Sequence, residues 1–517
     1  MGHAQVTRSD VMVALSRATD LATGQPMGFA MTSCLLADRL ARLAAFDAPA
    51  RLAVLQQGLL RYIGCNSETQ AMAALLGDEI AFRQDFSKID AANAGQVMGL
   101  VFKHLRQANA GLPLFAAITK IVQSFVASRN ESTRILEGHC EVAQRLGQRL
   151  GLSSEISKGL GQLYARWDGK GIPAGLKGDA IAPAVRVVAL AQDALILREA
   201  FGETQAMAQL KARAGHAHDP HLVGLLVDGV PGVFSGLDDP KPAEIESLLA
   251  QDDVALDSTG LDDACLALAD FVDLKTPFTI GHSRALAELV AAAGKGRGLP
   301  ANSIAQLRLA ALVHDLGQAG VPAHILMKAG AYGASEWEQV RLHSYYGERV
   351  LAASPGLTKL AELAGQHHER LDGSGYHHAA RGAALSAEAR ILAAAEAYQN
   401  KIEARPHRAA HSPQAAAELL QKEVRERRLD AEAVQAVVKA AGVKSHRPMG
   451  KTSELTAREI EILQALAQGL SMKEVGRALG ISPKTVDNHI QNIYPKIGVK
   501  TRGGAVLYAV EHGLIGA

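Results

Sequence analysis

Apolar residues recur along most of this chain every three to four positions, which is the spacing of an amphipathic helix. Residues 11–60 carry the pattern, for example at Leu36, Leu40 and Leu43. It returns over residues 142–166 and again just before His314. Ala and Leu dominate these stretches, and both are strong helix formers. The chain is therefore predicted to be all-α.

The last 65 or so residues show helix boundaries with unusual clarity. Thr456 and Ser471 each precede a Glu by three positions, the pattern of a capping box, and Ser482-Pro483 places an N-cap before a proline at the first helical position. The short turn between Leu479 and Ser482 then joins two short helices, which predicts a helix-turn-helix. A small core is expected from the apolar residues Leu463, Leu466, Val475, Leu479, Val486 and Ile490.

The rest of the chain repeats itself. A shift of 204 residues superposes Trp167-Asp168-Gly169 on Leu371-Asp372-Gly373, and places His139 on His343. A shift of 253 residues places Gly28-Phe29 on Gly281-His282. Because the two shifts differ by 49 residues, the first copy is predicted to carry an insertion of that size between about residues 65 and 138.

The two copies differ in the residues that could bind a metal. The second copy offers His282, His314, Asp315, His343, His367, His368 and Glu396. At the same positions the first copy has Phe29, Arg61, Tyr62, His139, Leu163, Tyr164 and Gln192. A single imidazole cannot hold a metal, so the first copy is interpreted as a packing or ligand-sensing partner.

The stretch from Gln366 to Tyr376 concentrates the chemistry of the second copy. Two adjacent imidazoles on one helix would point about 100° apart and could serve two neighbouring metals. The glycines that follow let the backbone approach a ligand closely. An adjacent His-Asp pair, here His314 and Asp315, can place its carboxylate as a bridge. Imidazole with carboxylate suits iron, manganese or zinc, so two divalent ions are predicted.

The composition gives only general indications of where the protein functions and what it binds. The net charge is +1, and the four cysteines form no CxxC pair, as expected of a reduced protein. No apolar run reaches the ~18 residues of a membrane helix, so a cytoplasmic protein without membrane contact is expected. Residues 444–517 carry ten Lys and Arg against six Asp and Glu, about +4, which suits contact with nucleic-acid phosphates.

The helix beginning at Pro483 carries the side chains that could read DNA. Asn and Gln can pair with adenine, and Asp can accept from cytosine. Lys473 and Lys496 are better suited to the phosphate backbone. The predicted DNA-binding residues are Lys473, Lys484, Thr485, Asp487, Asn488, Gln491, Asn492 and Lys496.

Residues 258–441 resemble the HD-GYP domain. The resemblance rests on Gly281-His282-Ser283-Arg284, His314-Asp315-Leu316-Gly317, His343, and His367-His368 leading into Asp372-Gly373-Ser374-Gly375-Tyr376. It implies an all-helical bundle that hydrolyses cyclic di-GMP, with the seven candidate ligands above on the metals and His314-Asp315 in the catalytic role. It also implies that Gly373, Ser374, Gly375, Tyr376 and the position of Gln318 face the ligand.

The chain departs from that family at four positions. Gln318 stands where the family usually has Lys, and Glu396 stands where it has a metal-binding Asp. His377 replaces the Pro of Gly-Tyr-Pro, and Gln399 replaces a further Asp. These departures leave binding without turnover open as an alternative to hydrolysis.

Residues 454–515 resemble the LuxR-type (GerE) DNA-binding domain. The motifs are Leu455-Thr456, Gly469-Leu470-Ser471, Ile481-Ser482 with Thr485-Val486, and Lys496-Ile497-Gly498-Val499. The resemblance implies a fourth helix near 503–512 that pairs in a homodimer. Pro495 is unusual there and is expected to end the recognition helix early.

Three domains are thus predicted: residues 8–250, 258–441 and 453–517. The leading hypothesis is a DNA-binding transcription regulator that senses, and in one version hydrolyses, a cyclic dinucleotide. The second is a metal-dependent phosphodiesterase with accessory DNA binding. The third is a non-catalytic sensor of a metal or another small molecule.

Overall fold

The computed structural model of the protein describes residues 5–109, 134–228, 232–238, 242–250, 253–442 and 455–515. The chain divides into two compact units. The first unit comprises Thr7–Leu256, and the second comprises Asp257–Ala517 with the start of the chain. Within the described ranges the regular structure is helical, and β-type pairing is limited to isolated bridges. The all-α prediction is confirmed.

The first unit is built from twelve described helices. They are α1 (Arg8–Thr23), α2 (Phe29–Leu43), α3 (Ala48–Leu59), α4 (Thr69–Leu76), α5 (Glu79–Phe86), α6 (Ala94–Ala108), α7 (134–149), α8 (Ser154–Leu160), α9 (Pro183–Phe201), α10 (Glu203–Arg213), α11 (Pro220–Asp228) and α12 (Pro242–Leu249). Helices α2, α3 and α9 pack on one another at the centre of the unit. Helices α4 to α6 form a separate small core around Met72, Phe82 and Leu105, in the interval where the sequence predicts an insertion.

The second unit begins with a bundle of nine helices. They are α13 (Ser258–Asp273), α14 (His282–Gly296), α15 (Ala301–Val313), α16 (Ala323–Leu326), α17 (Ala334–Leu351), α18 (Thr358–Ala364), α19 (Ala387–Ile402), α20 (Pro413–Arg425) and α21 (Ala431–Gly442). Helix α15 contacts α13, α14, α18 and α19, so it lies at the centre of the bundle. Its apolar residues Leu307, Leu312 and Val313 are fully buried. His314 follows directly, so the candidate site begins inside this core.

The last four helices form a small domain with its own core. They are α22 (Ala457–Ala467), α23 (Met472–Leu479), α24 (Pro483–Lys496) and α25 (Arg502–Glu511). Thr456 and Ser471 form the predicted capping boxes. Gly476 allows the turn between α23 and α24 to close tightly, because a Cβ there would stand 2.6 Å from the carbonyl oxygen of Ile481. The predicted core is confirmed, with Leu479 and Ile490 partly buried at its edge.

The predicted repeat appears in the structure as a close contact between a glycine and a histidine carbonyl that occurs once in each unit. In the first unit a Cβ on Gly64 would fall inside the main-chain carbonyl of His139. In the second unit Gly317 meets the carbonyl of His343 in the same way. Gly64 and Gly317 are 253 residues apart, and His139 and His343 are 204 residues apart. These are the two shifts found in the sequence, so the same contact is made by equivalent residues in both copies.

Two local predictions were wrong. His367 and His368 do not lie on a helix, because α18 ends at Ala364 and the two residues occupy the turn after it. Pro495 does not shorten the recognition helix, since α24 continues to Lys496 with Pro495 in its last turn. Pro495 cannot donate the helical hydrogen bond to the carbonyl of Gln491. The helix continues past that position because Ile493 and Ile497, on either side of Pro495, are buried in the domain core. Among the described helices, none is both long and apolar enough to cross a membrane.

Candidate metal centre

The candidate ligands of the second copy gather into two adjacent groups inside the bundle. His282, His314 and Asp315 form one group, and His343, His367 and His368 form the other. Within each group the potential ligand atoms lie within 4.8 Å of one another. They come from the start of α14, the end of α15, the middle of α17 and the turn after α18. Four segments distant in the sequence therefore meet at one buried place.

The carboxylate of Asp315 lies between the two groups. Its Oδ1 is 3.2 Å from Nε2 of His343 and 3.6 Å from Nε2 of His367. Its Oδ2 is 3.3 Å from Nε2 of His314 and 3.9 Å from Nε2 of His282. One oxygen faces each group, which is the geometry that a bridging carboxylate needs.

Glu396 completes the group around His282. Its Oε2 lies 3.1 Å from Nε2 of His282 and 3.6 Å from Nε2 of His314. The side chain extends from α19 and is buried. Although Glu is one methylene longer than the Asp usual in the family, Glu396 still places a carboxylate oxygen in the centre.

Three imidazoles are oriented by the backbone. Nδ1 of His314, His343 and His367 lies 2.8, 2.5 and 2.7 Å from the carbonyl oxygen three residues earlier in each case. A carbonyl only accepts, so each Nδ1 carries the proton and donates. With Nδ1 held in this way, Nε2 is the nitrogen that each ring can offer to a metal, and the three Nε2 atoms lie beside Asp315.

His282 is oriented by a carboxylate instead. Its Nδ1 lies 2.8 Å from Oε2 of Glu403, and the other oxygen of Glu403 accepts a hydrogen bond of 2.7 Å from Gln399. Such outer carboxylates fix the ring and raise its basicity. Glu403 is not among the residues predicted from the sequence, and Gln399 is interpreted there only as a lost carboxylate.

Asp273 is a second residue of the site that is not predicted from the sequence. Its two oxygens accept from the backbone N–H and the hydroxyl of Ser283, at 2.9 and 2.8 Å, which fixes the first turn of α14 beside His282. In the first unit Asp20 accepts in the same way from the N–H of Ala30 at 3.1 Å. Both pairs obey the shift of 253 residues, so comparison of the two copies could have revealed this carboxylate.

Lys275 is a buried side chain that contacts the turn after Asp315. It is 1% exposed, and its Nζ donates to the carbonyl oxygen of Ala319 at 2.5 Å. That carbonyl belongs to the short 3₁₀ turn Leu316–Gly320, which follows Asp315 and contains Gln318. Lys275 thus stabilises the turn in which Gln318 stands in place of the lysine usual in the family.

The carboxylates of the centre are ionised, and its imidazoles differ in charge. Burial lowers the pKa of His314, but Asp315 and Glu396 outweigh burial and raise that pKa to about 10. Burial is likewise outweighed at His282 by Glu403 and Glu396, which raise its pKa well above the usual value.

Burial opposes charge on Asp315, but His314 and His343 outweigh it and hold the pKa of Asp315 well below its usual value. Burial together with the charges of His314 and His343 lowers the pKa of His367 to about 3. Burial likewise depresses the pKa of His368. At neutral pH Asp315, His367 and His368 are in the protonation states that bind metals, and a bound metal would replace one proton on His282 and one on His314.

Among the described residues of the centre, two buried atoms lack a hydrogen-bond partner of good geometry: Nε2 of His314 and Oδ1 of Asp315. Buried polar atoms are rarely left unpaired in a folded protein. Nε2 of His314 belongs to the first group and Oδ1 of Asp315 lies 3.2 Å from Nε2 of His343 in the second, so a cation bound in each group would satisfy them. The residues present therefore fit a pair of divalent metals, and the nitrogen-rich donor set suits iron, manganese or zinc.

The glycine-rich loop lies against the second group. The ring of Tyr376 is 4.3 Å from that of His368, and Gly375 is buried behind it. Gly373 adopts a positive φ of 80°, and Ser374 is fixed by a hydrogen bond of 2.6 Å to Asp372. Glu369 anchors the loop by accepting from the N–H groups of His378 and Ala380, at 3.1 and 2.9 Å.

The first unit has no comparable centre among its described residues. Tyr164 occupies the place of His368, and its hydroxyl lies 3.0 Å from Nδ1 of His139. Burial lowers the pKa of His139 to about 3. The surviving imidazole is thus a neutral core residue held by a tyrosine.

The predicted DNA-binding residues occupy α23 and α24. Exposed are Lys473, Lys484, Asn488, Gln491, Asn492 and Lys496. Thr485 and Asp487 are half-buried, and Asp487 accepts a hydrogen bond of 3.1 Å from Gln491. Lys496 is paired with both oxygens of Glu459, at 2.7 and 2.8 Å. This lysine braces α24 against α22.

Comparison with known families agrees with this arrangement. The sequence profile of the HD domain matches residues 116–222 and 267–433, more than half of the chain. The chain belongs to the HD domain family. The two matched segments fall in the two copies, so it is a tandem HD domain protein of the HD-GYP type. The profile of bacterial regulatory proteins of the LuxR family matches residues 453–509.

Relatives of this HD domain protein act on cyclic dinucleotides. The 3'3'-cGAMP-specific phosphodiesterase 3 of Vibrio cholerae is 27% identical over 410 residues, which cover 78% of this chain and 88% of that protein. A cyclic di-GMP phosphodiesterase of Thermotoga maritima is 30% identical over 143 residues, 27% of this chain and 38% of that protein.

A solved structure supports the fold. The crystal structure of a cyclic GMP-AMP specific phosphodiesterase of V. cholerae superposes with a TM-score of 0.58 at 23% identity. The match covers 85% of this chain and 99% of that chain. At this identity the likeness concerns the fold alone.

Proposed function

We propose that this protein is a transcription regulator whose second HD domain binds two divalent metals and a cyclic dinucleotide and hydrolyses a phosphodiester bond of that ligand. The observation that carries the proposal is Asp315, whose two oxygens face two separate groups of imidazoles. The substrate class is inferred from relatives that act on 3'3'-cGAMP and cyclic di-GMP.

The proposed ligands are His282, His314 and Glu396 on one side, His343, His367 and His368 on the other, and Asp315 between them. When bound, divalent metals supply Lewis acidity toward phosphate oxygens and a water of lowered pKa. The chain contributes the rest. The backbone carbonyls and Glu403 hold the imidazoles in the ligating tautomer, and burial excludes bulk water.

The loop from Gly373 to Tyr376 is proposed to receive the ligand. The ring of Tyr376 lies over His368, and the guanidinium of Arg341 lies 5.6 Å from the centre of the tyrosine ring. Arg341 is about one-third exposed. It offers phosphate a cation beside Tyr376, whereas Gln318, in the turn after Asp315, carries no charge.

The C-terminal domain is proposed to bind DNA through α24, with Asn488, Gln491 and Asn492 toward base edges and Lys473 and Lys484 toward phosphates. Lys473 is exposed on α23, and the other four side chains are exposed on α24, the helix that follows the tight turn at Gly476. A homodimer formed through α25 belongs to the same proposal.

A second candidate function is a sensor that binds the dinucleotide without cleaving it. The observation that favours it is Gln318, a neutral side chain where the family has a lysine. One assay distinguishes hydrolysis of the dinucleotide from binding without cleavage. Purified protein loaded with Mn²⁺ or Fe²⁺ is incubated with 3'3'-cGAMP and with cyclic di-GMP, and linear products are measured by chromatography.

Linear product from the wild type, absent with Asp315→Asn, would support hydrolysis. Binding by calorimetry with no product would favour the sensor. Neither binding nor product with either dinucleotide would reject both. DNA binding is tested in parallel by gel shift on the protein's own promoter region, with and without dinucleotide.

A further inference from the structure

A third cluster of ligating side chains lies outside the centre just described. Nε2 of His377 and Nε2 of His378 are each 2.7 Å from the same oxygen, Oε2 of Glu348. The two imidazole rings stand 4.1 Å apart. Two nitrogens and one carboxylate oxygen therefore converge on a single point.

This cluster is built on fixed parts of the fold. Glu348 lies on α17, the helix that also carries His343. The two histidines follow Tyr376 in a loop whose backbone is anchored by the buried carboxylate of Glu369. Glu348 is also confined from behind, since a Cβ on Gly365 would stand 2.6 Å from its Oε2. The three side chains are thus brought together by helix and loop rather than by chance contact of mobile chains.

The donor set identifies the class of ligand. Two imidazoles with one carboxylate are the protein ligands of many zinc sites that keep a fourth position open. Mg²⁺ and Ca²⁺ prefer oxygen donors and would gain little from two nitrogens. His378 is the most exposed of the three, with 38% of its side chain accessible, so the open position would face solvent.

The spacing requires only a small adjustment. Tetrahedral ligands at zinc distances lie about 3.4 Å apart. The nitrogen–oxygen distances here are 2.7 Å, so the ligands would separate by about 0.7 Å on binding. Because His378 is exposed, it can make that movement without disturbing the core.

We propose that Glu348, His377 and His378 form an accessory site for a zinc-class divalent cation, separate from the Asp315 centre and at the edge of its ligand loop. The site does not depend on the proposed hydrolysis. A cation there would fasten the loop after Tyr376 to α17 and leave one coordination position for water or a phosphate oxygen.

The test uses full-length protein stripped with a chelator and then dialysed against Zn²⁺, with zinc per chain measured by mass spectrometry. Glu348→Gln keeps the size and hydrogen bonding of the side chain but removes the anionic ligand. His378→Ala removes one nitrogen. His407→Ala removes an exposed histidine of the same unit and serves as the matched control.

Glu348→Gln and His378→Ala should each bind one zinc fewer than the wild type, and His407→Ala should bind the same number. The d–d absorption of Co²⁺-loaded protein should lose one component in the same two variants. The proposal fails if all four proteins bind equal zinc. It also fails if Glu348→Gln loses the metals of the Asp315 centre as well, because the cluster would then be a brace for α17 and not a site of its own.

Discussion

The Cα atom of Gly317 lies so close to the main-chain carbonyl of His343 that no side chain fits between them. The contact joins the 3₁₀ turn after Asp315 to the helix that carries His343. It sets the distance between the carboxylate of Asp315 and the imidazole of His343. The spacing of the candidate centre therefore depends on a glycine that touches no metal.

Gly317→Ala should weaken metal binding by forcing α17 away from Asp315. Overpacking of this kind costs about 1–3 kcal/mol of stability. The metal content of the purified variant should fall below that of the wild type at equal protein concentration. Gly64→Ala makes the same clash with His139 in the first unit and is the matched control. Equal loss of metal in both variants would contradict the proposed role of the contact.

Asp315→Asn should abolish binding of both metals together, because an amide has one acceptor oxygen and no charge to share. His368→Ala should remove ligation from one group only. Mass spectrometry of metal per chain distinguishes the two results. If Asp315→Asn loses one metal and keeps the other, the carboxylate does not bridge.

Glu403→Gln should lower metal affinity by about 10–100-fold, the usual effect of removing an outer partner of a ligating histidine. The amide preserves the shape of the side chain but cannot draw the Nδ1 proton of His282 as a carboxylate does. Competition with a metal-binding dye measures the affinity. Glu418→Gln, an exposed position on α20, provides the control and should leave the affinity unchanged.

Much of the centre could be predicted because its ligands are chemically rare. A mostly apolar helical sequence has few reasons to bury His314, His343 and His367, and the repeat showed which positions correspond. The outer residues were not predictable in the same way. Glu403 and Lys275 are common residue types whose roles depend on which helices meet, and only the folded chain reveals that.

The two wrong local predictions have a common cause. His367-His368 followed an apolar helical pattern, and Pro495 stood inside one, so local sequence pointed to a continuing helix in the first case and an early end in the second. Tertiary contacts decided both. The turn after Ala364 is fixed by packing around the centre, while α24 continues because Ile493 and Ile497 are buried in the domain core.

Two neighbouring substitutions on α24 should separate base reading from phosphate contact. Asn488→Ala should cost about 1–3 kcal/mol on the preferred sequence and relax specificity at one position. Lys484→Ala should weaken binding to all sequences and reduce the salt dependence by about one counterion. Binding isotherms at several salt concentrations, on DNA selected from a random pool, measure both. Identical salt slopes for the two variants would contradict these roles.

Asp20 offers a test of stability that is independent of the metals. It is fully buried in the first unit and accepts from the N–H groups of Gly28 and Ala30, at 2.8 and 3.1 Å. Burial raises its pKa from 3.8 to about 8, against the opposing effect of these hydrogen bonds. Since the pKa in the folded state is the higher one, the stabilising contribution is complete below about pH 4 and is lost as the pH rises through about 8.

Asp20→Asn removes this titration, so the wild type should lose stability relative to the variant as the pH rises from about 5 to about 8. Chemical denaturation of both proteins at the two pH values gives the free energies of unfolding. Asp47→Asn is the control, because Asp47 also caps a helix but is exposed, and it should not show the trend. A difference between wild type and Asp20→Asn that stays constant with pH would mean that Asp20 remains ionised in the fold, held by its two N–H donors despite burial.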